Sequence, residues 1–528
     1  MACRGAHFGG ADHRLSWSAA FVGADHVYGD ATLIPRATAR QTEAMIPPHT
    51  QALRRGNLAV PAVTAWPASS KPVPRPAFYL TAIFVFVVYA RLPEIADTVM
   101  GLGLHSVRII MLLALFATLL FGGDMRAMFS KIGVCLMAFT LWMCLCTPFS
   151  TWRGGSIAVL RDVWTVSLFS FVIVASAVQG LEQCRRIMYT LAAAAVFIEI
   201  YTIVMGRVQQ GRVALLGGTL ANANYLALIL LIGLPFCLFV LRTKAGFSPL
   251  KFACLLMLFC IPVTVAGTGS RGGLLTLAIM FLMYFVPLPV SQKIVVAVCA
   301  LVVSVFAIAW SSRSALDRYR TIIASSDPAR LSDSERSAVE SAELRKELLR
   351  SSLQLTLRHP LFGVGPGMFE VANANYVEAT TGRSDVNAWH ETHNTFTQLS
   401  CEDGLPGLLL YCLALVFCFK AVFSAEMRAR RDPGLSSLGQ IAFALRLALI
   451  AFTGTAIFAS NAYMYYFPML AGLCVAVDRA TATQFSPQMA AGPEPPAPMP
   501  WAARPLAQVR PGTRGGNTAM AWKKPPFR

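Results

Sequence analysis

At 528 residues, with 55% hydrophobic and only 14% charged residues, the chain is too apolar for a soluble globular protein of its length and reads as an all-α integral membrane protein. A net charge of +18 would suit a nucleic-acid binder, but the cations fall in two tails and in alternate short loops, the pattern of membrane orientation, so no nucleic-acid partner is expected. The thirteen cysteines lie almost all inside apolar runs, where Cys behaves as a small apolar residue; they make no disulfide framework, and no Cys/His spacing resembles a zinc site.

Residues 1–76 are rich in Ala, Arg and Pro and contain no apolar run long enough for a signal-peptide core; they read as a disordered cytoplasmic tail. Apolar windows of about 17–20 residues, the length that crosses a bilayer as a helix, begin near Phe78, Leu104, Ile132, Val163, Ile187, Tyr225, Leu250, Leu274, Ile294, Leu405, Ile441 and Tyr463. The expectation is therefore about twelve transmembrane helices, nine over residues 77–310 and three over 405–478. A large polar loop, residues 311–404, separates the ninth from the tenth. Residues 479–528, with GPEPPAPMP and a basic finish, read as a second disordered cytoplasmic tail.

Orientation follows from the short loops. With the N-terminus cytoplasmic, cations cluster inside as Arg126 with Lys131, Arg185 with Arg186, Arg242 with Lys244, and Arg428 with Arg430 and Arg431. The opposite short loops hold only Arg91, Arg153, Arg161, Arg207, Arg212 and Arg271. The positive-inside bias then puts the long loop outside, in the periplasm of a Gram-negative cell.

Polar features recur on that outer side. Arg161-Asp162, at the start of the fourth span, is either a boundary ion pair or part of a polar cavity. After the fifth span, GRVQQGRVALLGGTLANANYLAL brings Arg207 and Arg212 together with Asn222 and Asn224 just before an apolar helix. Free amides at such a helix start favour an anion, although a plain flanking turn reads the same way. In GTGSRGGLLTL, Arg271 stands among small residues at the start of the eighth span, where it either binds an anion or snorkels to lipid headgroups.

The long loop opens with a helix signal, Ser332 and Glu335 forming a capping box ahead of Leu344, Leu348, Ser352 and Leu355 on one face. Such a helix is expected to cover the membrane face of the loop rather than do chemistry. Pro360 ends it, and Gly363, Gly365 and Gly367 make a turn before Phe369. That glycine set is no dinucleotide fingerprint, because no strand precedes it. Of the eight histidines, His359, His390 and His393 lie in this loop. His393-Asn394, nine residues and then Gly404-Leu405-Pro406-Gly407 lead straight into the tenth span.

Three separated pieces, Gly206-Arg207 to Asn224, Ser270-Arg271-Gly272-Gly273, and HPLFGVGPGMF followed by HN-x9-GLPG, resemble the O-antigen ligase and O-antigen polymerase superfamily of membrane glycosyltransferases. Members share His-[Asn/Ser/Gln]-x9-Gly-x-x-Gly at the end of a large periplasmic loop, and the likeness covers roughly residues 77–478. The resemblance implies a GT-C-like membrane fold. It implies transfer of a glycan from undecaprenyl pyrophosphate to lipid A-core or another acceptor, at the periplasmic face of the inner membrane, without metal, nucleotide sugar or cofactor. Arg212 and Arg271 match its arginine motifs and would stabilise the leaving pyrophosphate. His393 matches its histidine and would take or orient the acceptor proton. Asn394, His390, Glu402, Arg207 and Asn224 are supporting candidates; Cys401-Glu402-Asp403 either orients His393 or marks the loop-to-membrane interface.

Polymerisation of lipid-linked repeats or of an exopolysaccharide, and glycan transfer to protein, share this architecture; the HN-x9-GLPG pattern leans toward ligation. A polytopic transporter is the rival of another class. Against it, no internal repeat is visible, and the polar groups gather on one face rather than at the midplane.

Overall fold

The computed structural model describes residues 75–100, 106–209, 211–243, 246, 248–323, 333–382 and 386–490. Ser332, half of the expected capping box, lies outside them, as does most of each expected tail. The described chain is almost wholly helical, as backbone in hydrocarbon must satisfy its own hydrogen bonds.

The first apolar run is not one straight helix. α1 (Arg75–Tyr89) and α2 (Leu92–Met100) meet at a 55° bend, with Arg91 between them in the left-handed region at φ 51°. α3 (Ser106–Leu120) returns, and α4 (Lys131–Cys146) starts on a serine cap, the Ser130 hydroxyl accepting from Gly133 N. α5 (Arg153–Ala177) contains a π-helical turn, Val159–Trp164, that carries the Arg161-Asp162 pair. After α6 (Leu181–Met205), the short antiparallel strands β1 (Arg207–Gln209) and β2 (Arg212–Ala214) precede α7 (Ala223–Thr243). α8 (Pro249–Gly267), α9 (Arg271–Phe285) and α10 (Val290–Trp310) complete the first part.

The long loop proves largely helical: α11 (Arg313–Ile323), α12 (Asp333–Arg358), α13 (Phe369–Thr381) and α14 (Thr395–Glu402). α15 (Gly404–Arg431), α16 (Ser436–Ala456) and α17 (Tyr466–Ala490) follow, the last running past residue 478, where the final span was expected to end.

Eight of the described helices are long and apolar enough to cross a membrane, nine if α1 and α2 form one bent span, against the twelve expected. The shortfall has physical causes. α3 and α9 are 15 residues each, shorter than a full crossing, and α17 carries Asp478 and Arg479 midway. Arg479 is buried, 3.8 Å from Asp124, so that charge is paired rather than lipid-facing.

α7 lies at the centre, with Leu226, Leu228, Ile229, Leu230 and Leu231 fully buried. α10 is the opposite extreme, with only Ala307 buried, as a helix at the lipid-facing edge should be. Bonds between connectors show which ends of the helices meet. The Ser312 hydroxyl donates to Gly211 O at 2.6 Å, Tyr319 OH to Ala266 O at 2.7 Å, and Thr151 N to Val364 O at 2.8 Å. The loop after α6, the turn before α9, the long loop and the segment 457–465 thus gather at one end of the bundle.

Candidate active site

The two arginines singled out by the sequence do come together, and two others join them. Arg212 projects from β2, its Nε donating to Thr268 O at 2.7 Å and its Nη2 to Asn224 Oδ1 at 2.9 Å. Asn224, near the start of α7, therefore orients an arginine. Arg271, first residue of α9, donates to Ala338 O of α12 at 3.1 Å. Arg318 of α11 is buried, its Cδ 3.4 Å from where a Cβ on Gly269 would stand; Arg212 Cγ lies at the same distance. Arg345 of α12 is half-buried, and its Nε has no hydrogen-bond partner among the described residues.

The arginines sense one another. Arg212 is pushed down to about 10, first by burial and then by Arg318, Arg345 and Arg271. Burial, Arg271 and Arg318 hold Arg345 at about 10 as well, and burial and Arg271 lower Arg318. Arg271 too is lowered by burial, and a convergence of four guanidiniums, three of them lowered further by their neighbours, has the electrostatics that suit an anion.

His393 borders this cluster. It has φ 53°, rare for a residue with a side chain, and its N–H donates to the Ser460 hydroxyl at 2.9 Å. Its imidazole is pushed down to about 4 by burial, then by Arg345 and His390, so it is neutral at physiological pH. Asn394 caps α14, its side-chain oxygen accepting from Phe396 N at 2.9 Å and Thr397 N at 3.1 Å. The Asn of the motif thus fixes the helix that follows rather than reaching outward, a cap worth about 1 kcal/mol.

The residues flanking His393 make a further network. Tyr225 OH lies 2.8 Å from Glu391 Oε2 and 3.1 Å from Ser460 O, and Thr395 Oγ1 donates to Ala459 O at 2.7 Å. Burial raises the Glu391 carboxyl despite these bonds. The segment 457–465 between α16 and α17 therefore clasps the motif from Thr392 to Thr395.

The glycine half of the motif is a joint. Val364 N donates to Cys401 O at 2.8 Å, Gly365 N to Glu402 O at 2.9 Å and Leu405 N to Pro360 O at 2.8 Å, binding HPLFGVGPGMF to the end of α14. The backbones are too close for side chains: a Cβ on Gly404 (φ 70°) would stand 2.0 Å from Leu361 O, and one on Gly363 (φ 65°) 2.3 Å from Glu402 O.

Glu402 belongs to this joint. Its carboxylate accepts from Gly367 N and Phe369 N, both at 3.1 Å, and meets Tyr463 OH at 2.7 Å, which also lies 2.7 Å from Asp403 Oδ2. The two carboxyls thus share a single hydroxyl donor. Burial pushes Glu402 up to about 7 and raises Asp403 well above its usual range. Of the two readings of Cys401-Glu402-Asp403, the bonds favour the interface: Glu402 ties the glycine turn to α14 instead of orienting His393.

Two other expected residues sit apart. Arg207 is exposed on β1, its backbone paired with Ala214. His390, half-buried, has Nδ1 3.1 Å from Asn387 O and acts on His393 only through its charge. Arg318 and Arg345 were missed. For Arg345 a signal exists: it stands seven residues after Ala338 and seven before Ser352, both buried, and so lies on the inward stripe of α12. That helix covers the loop's own core of Leu348, Leu355, Phe369 and Cys401 and supplies the arginine site, rather than merely lining a membrane face. Among the described residues no three His, Cys, Asp or Glu group as metal ligands.

No curated protein matches the chain. Residues 252–412 match the family model described as O-antigen ligase. That stretch contains Arg271, Arg318, Arg345 and His393 and stops just inside α15; Arg212 and the clasp at 457–465 lie outside it. Over residues 252–412 this multi-pass membrane protein is thus similar to the O-antigen ligase family of membrane glycosyltransferases.

Proposed function

We propose that the protein transfers a glycan from undecaprenyl pyrophosphate to an acceptor hydroxyl at the periplasmic face of the inner membrane, with O-antigen ligation to lipid A-core as the best reading. The observation that carries it is the convergence of Arg212, Arg271, Arg318 and Arg345 beside His393. A pyrophosphate ester is the ligand class that four fixed guanidiniums at a membrane surface suit best, because each offers two-pronged donors to phosphate oxygens and none can be deprotonated at neutral pH.

In the reaction, the acceptor oxygen bonds to the anomeric carbon as the carbon–oxygen bond to pyrophosphate breaks. The bonding electrons leave with the undecaprenyl pyrophosphate, whose added charge the arginines stabilise, and the hydroxyl proton passes to His393. His393 starts neutral, as a base must. A bound pyrophosphate offsets the arginine charge that holds its basicity down, so the donor itself prepares the base. Because arginine supplies the positive charge, the reaction is proposed to need no metal. Polymerisation and transfer to protein differ from ligation only in the acceptor.

Reconstitution in lipid nanodiscs with an undecaprenyl-pyrophosphate oligosaccharide tests the proposal. The expected result is an elongated acceptor with lipid A-core, undiminished by EDTA. Vectorial movement of the intact lipid-linked glycan without any new glycosidic bond would favour a transporter and refute it.

A further inference from the structure

Three breaks in regular helix meet at one place away from the arginines. They are the bend between α1 and α2 with left-handed Arg91, the π-helical turn of α5 with Asp162, and the irregular segment 457–465 that ends in Met464 and Tyr465. Together they wall a cavity of about 400 Å³. Irregular backbone at membrane depth persists only where it lines such a cavity, and π-turns and strained residues concentrate at working sites.

The walls are polar but nearly balanced. Glu94, Asp97 and Asp162 face Arg91 and Arg108, beside the aromatic Tyr465. Arg91 is buried, with Nε and Nη2 donating to Tyr466 OH at 3.1 and 3.0 Å and Nη1 to Glu94; Glu94 also accepts from Thr219 N at 3.2 Å. Arg108 and Arg161 both donate to Asp162. Alternating fixed donors and acceptors next to a ring suit a neutral, hydroxyl-rich ligand, since each sugar hydroxyl both donates and accepts. An anion would find less here than in the arginine cluster, where four guanidiniums converge.

The cavity shares a wall with the candidate active site: Met464 and Tyr465 line it, and Ser460 of the same segment holds His393. We infer that the cavity between the α1–α2 bend, the π-turn of α5 and the segment 457–465 binds a neutral sugar of the acceptor glycan and presents its chain toward His393. Calling that sugar the acceptor rests on the transfer reading above; the cavity's preference for neutral sugar does not.

The test uses the full chain in nanodiscs, with chitobiose as a neutral disaccharide probe followed by saturation-transfer NMR, and inorganic pyrophosphate as a probe of the arginine cluster. Chitobiose should bind saturably, and saturating pyrophosphate should change its affinity less than twofold, as two ligands present together require. Thr219→Trp, which narrows the cavity, and the exposed Asp97→Arg should each weaken chitobiose at least tenfold while leaving pyrophosphate binding intact. The inference is overturned if wild-type protein does not bind chitobiose, if pyrophosphate displaces it, or if both folded variants bind it normally. Loss of pyrophosphate binding from wild-type protein, with chitobiose still bound and sensitive to the variants, would instead count against the transfer reading and leave the sugar cavity standing.

Discussion

Replacing Gly404 by Ala tests whether the glycine half of HN-x9-GLPG is a packing joint. Two costs add. The residue has φ 70°, and holding alanine in that left-handed region costs about 1–2 kcal/mol. The new methyl would also stand 2.0 Å from Leu361 O and 2.9 Å from Pro360 O. Those are backbone atoms, tied in by the 2.8 Å bond from Leu405 N to Pro360 O, so they cannot rotate away. Overpacking of that kind costs about 1–3 kcal/mol, for a total of about 2–5 kcal/mol. Gly382 is the control, since it has φ 69° but nothing within 4 Å of its would-be Cβ, and its alanine variant should suffer only the first cost. Thermal unfolding in detergent at matched concentration should therefore place Gly404→Ala well below Gly382→Ala, and Gly382→Ala slightly below wild type. Equal melting of the two variants would refute the joint.

Further expectations follow from the charged groups. Arg345→Gln removes one guanidinium and should weaken pyrophosphate binding by roughly 10- to 100-fold, the usual worth of a charge-assisted bond; titration calorimetry checks it. Because Arg345 also depresses His393, the same variant should move the His393 titration, followed by NMR, upward toward 6.5. In wild-type protein the acid limb of kcat/KM for the donor, which reports the free enzyme, should lie near pH 4, and that of kcat should lie higher, because donor charge then surrounds the histidine. Glu402 behaves oppositely to an ordinary ion-paired acid: its folded-state pKa of about 7 is above its unfolded value, so it stabilises most below about pH 4.5 and that stability is lost as pH rises toward 7. Glu402→Gln should flatten the fall in melting temperature between pH 5 and 7.5.

Much of this was legible in the sequence, for identifiable reasons. Apolar runs mark helices because a bilayer leaves the backbone little choice, and HN-x9-GLPG marked the junction because Asn394 is a helix cap and Gly404 a forced backbone contact. Arg212 and Arg271 stood out as arginines beside glycine and asparagine at helix starts. Arg318 and Arg345 did not, since a charged residue on a soluble-looking helix reads as solvent-facing until the packing of α12 turns it inward. Each of the twelve apolar windows falls on a helix, but only eight or nine of the described helices are long and apolar enough by themselves to cross, because α3 and α9 are short and α17 carries charge, which hydropathy windows alone do not show. Glu402 was open to two readings because its partners, Gly367, Phe369 and Tyr463, are 33 to 61 residues away. Arg161 and Asp162 form an ion pair, and Asp162 also walls a cavity.

The central claim is that the arginine cluster and His393 together carry out glycan transfer, and one pair of numbers tests it most directly: donor binding and transfer rate of His393→Ala beside wild type, in nanodiscs, at equal amounts of inserted protein. The account predicts unchanged binding of the lipid-linked donor with transfer lowered by roughly 10²- to 10⁴-fold, the contribution of a positioned acid–base group. Near-normal transfer, or a loss matched by weakened donor binding, would contradict it and leave the motif as a joint alone.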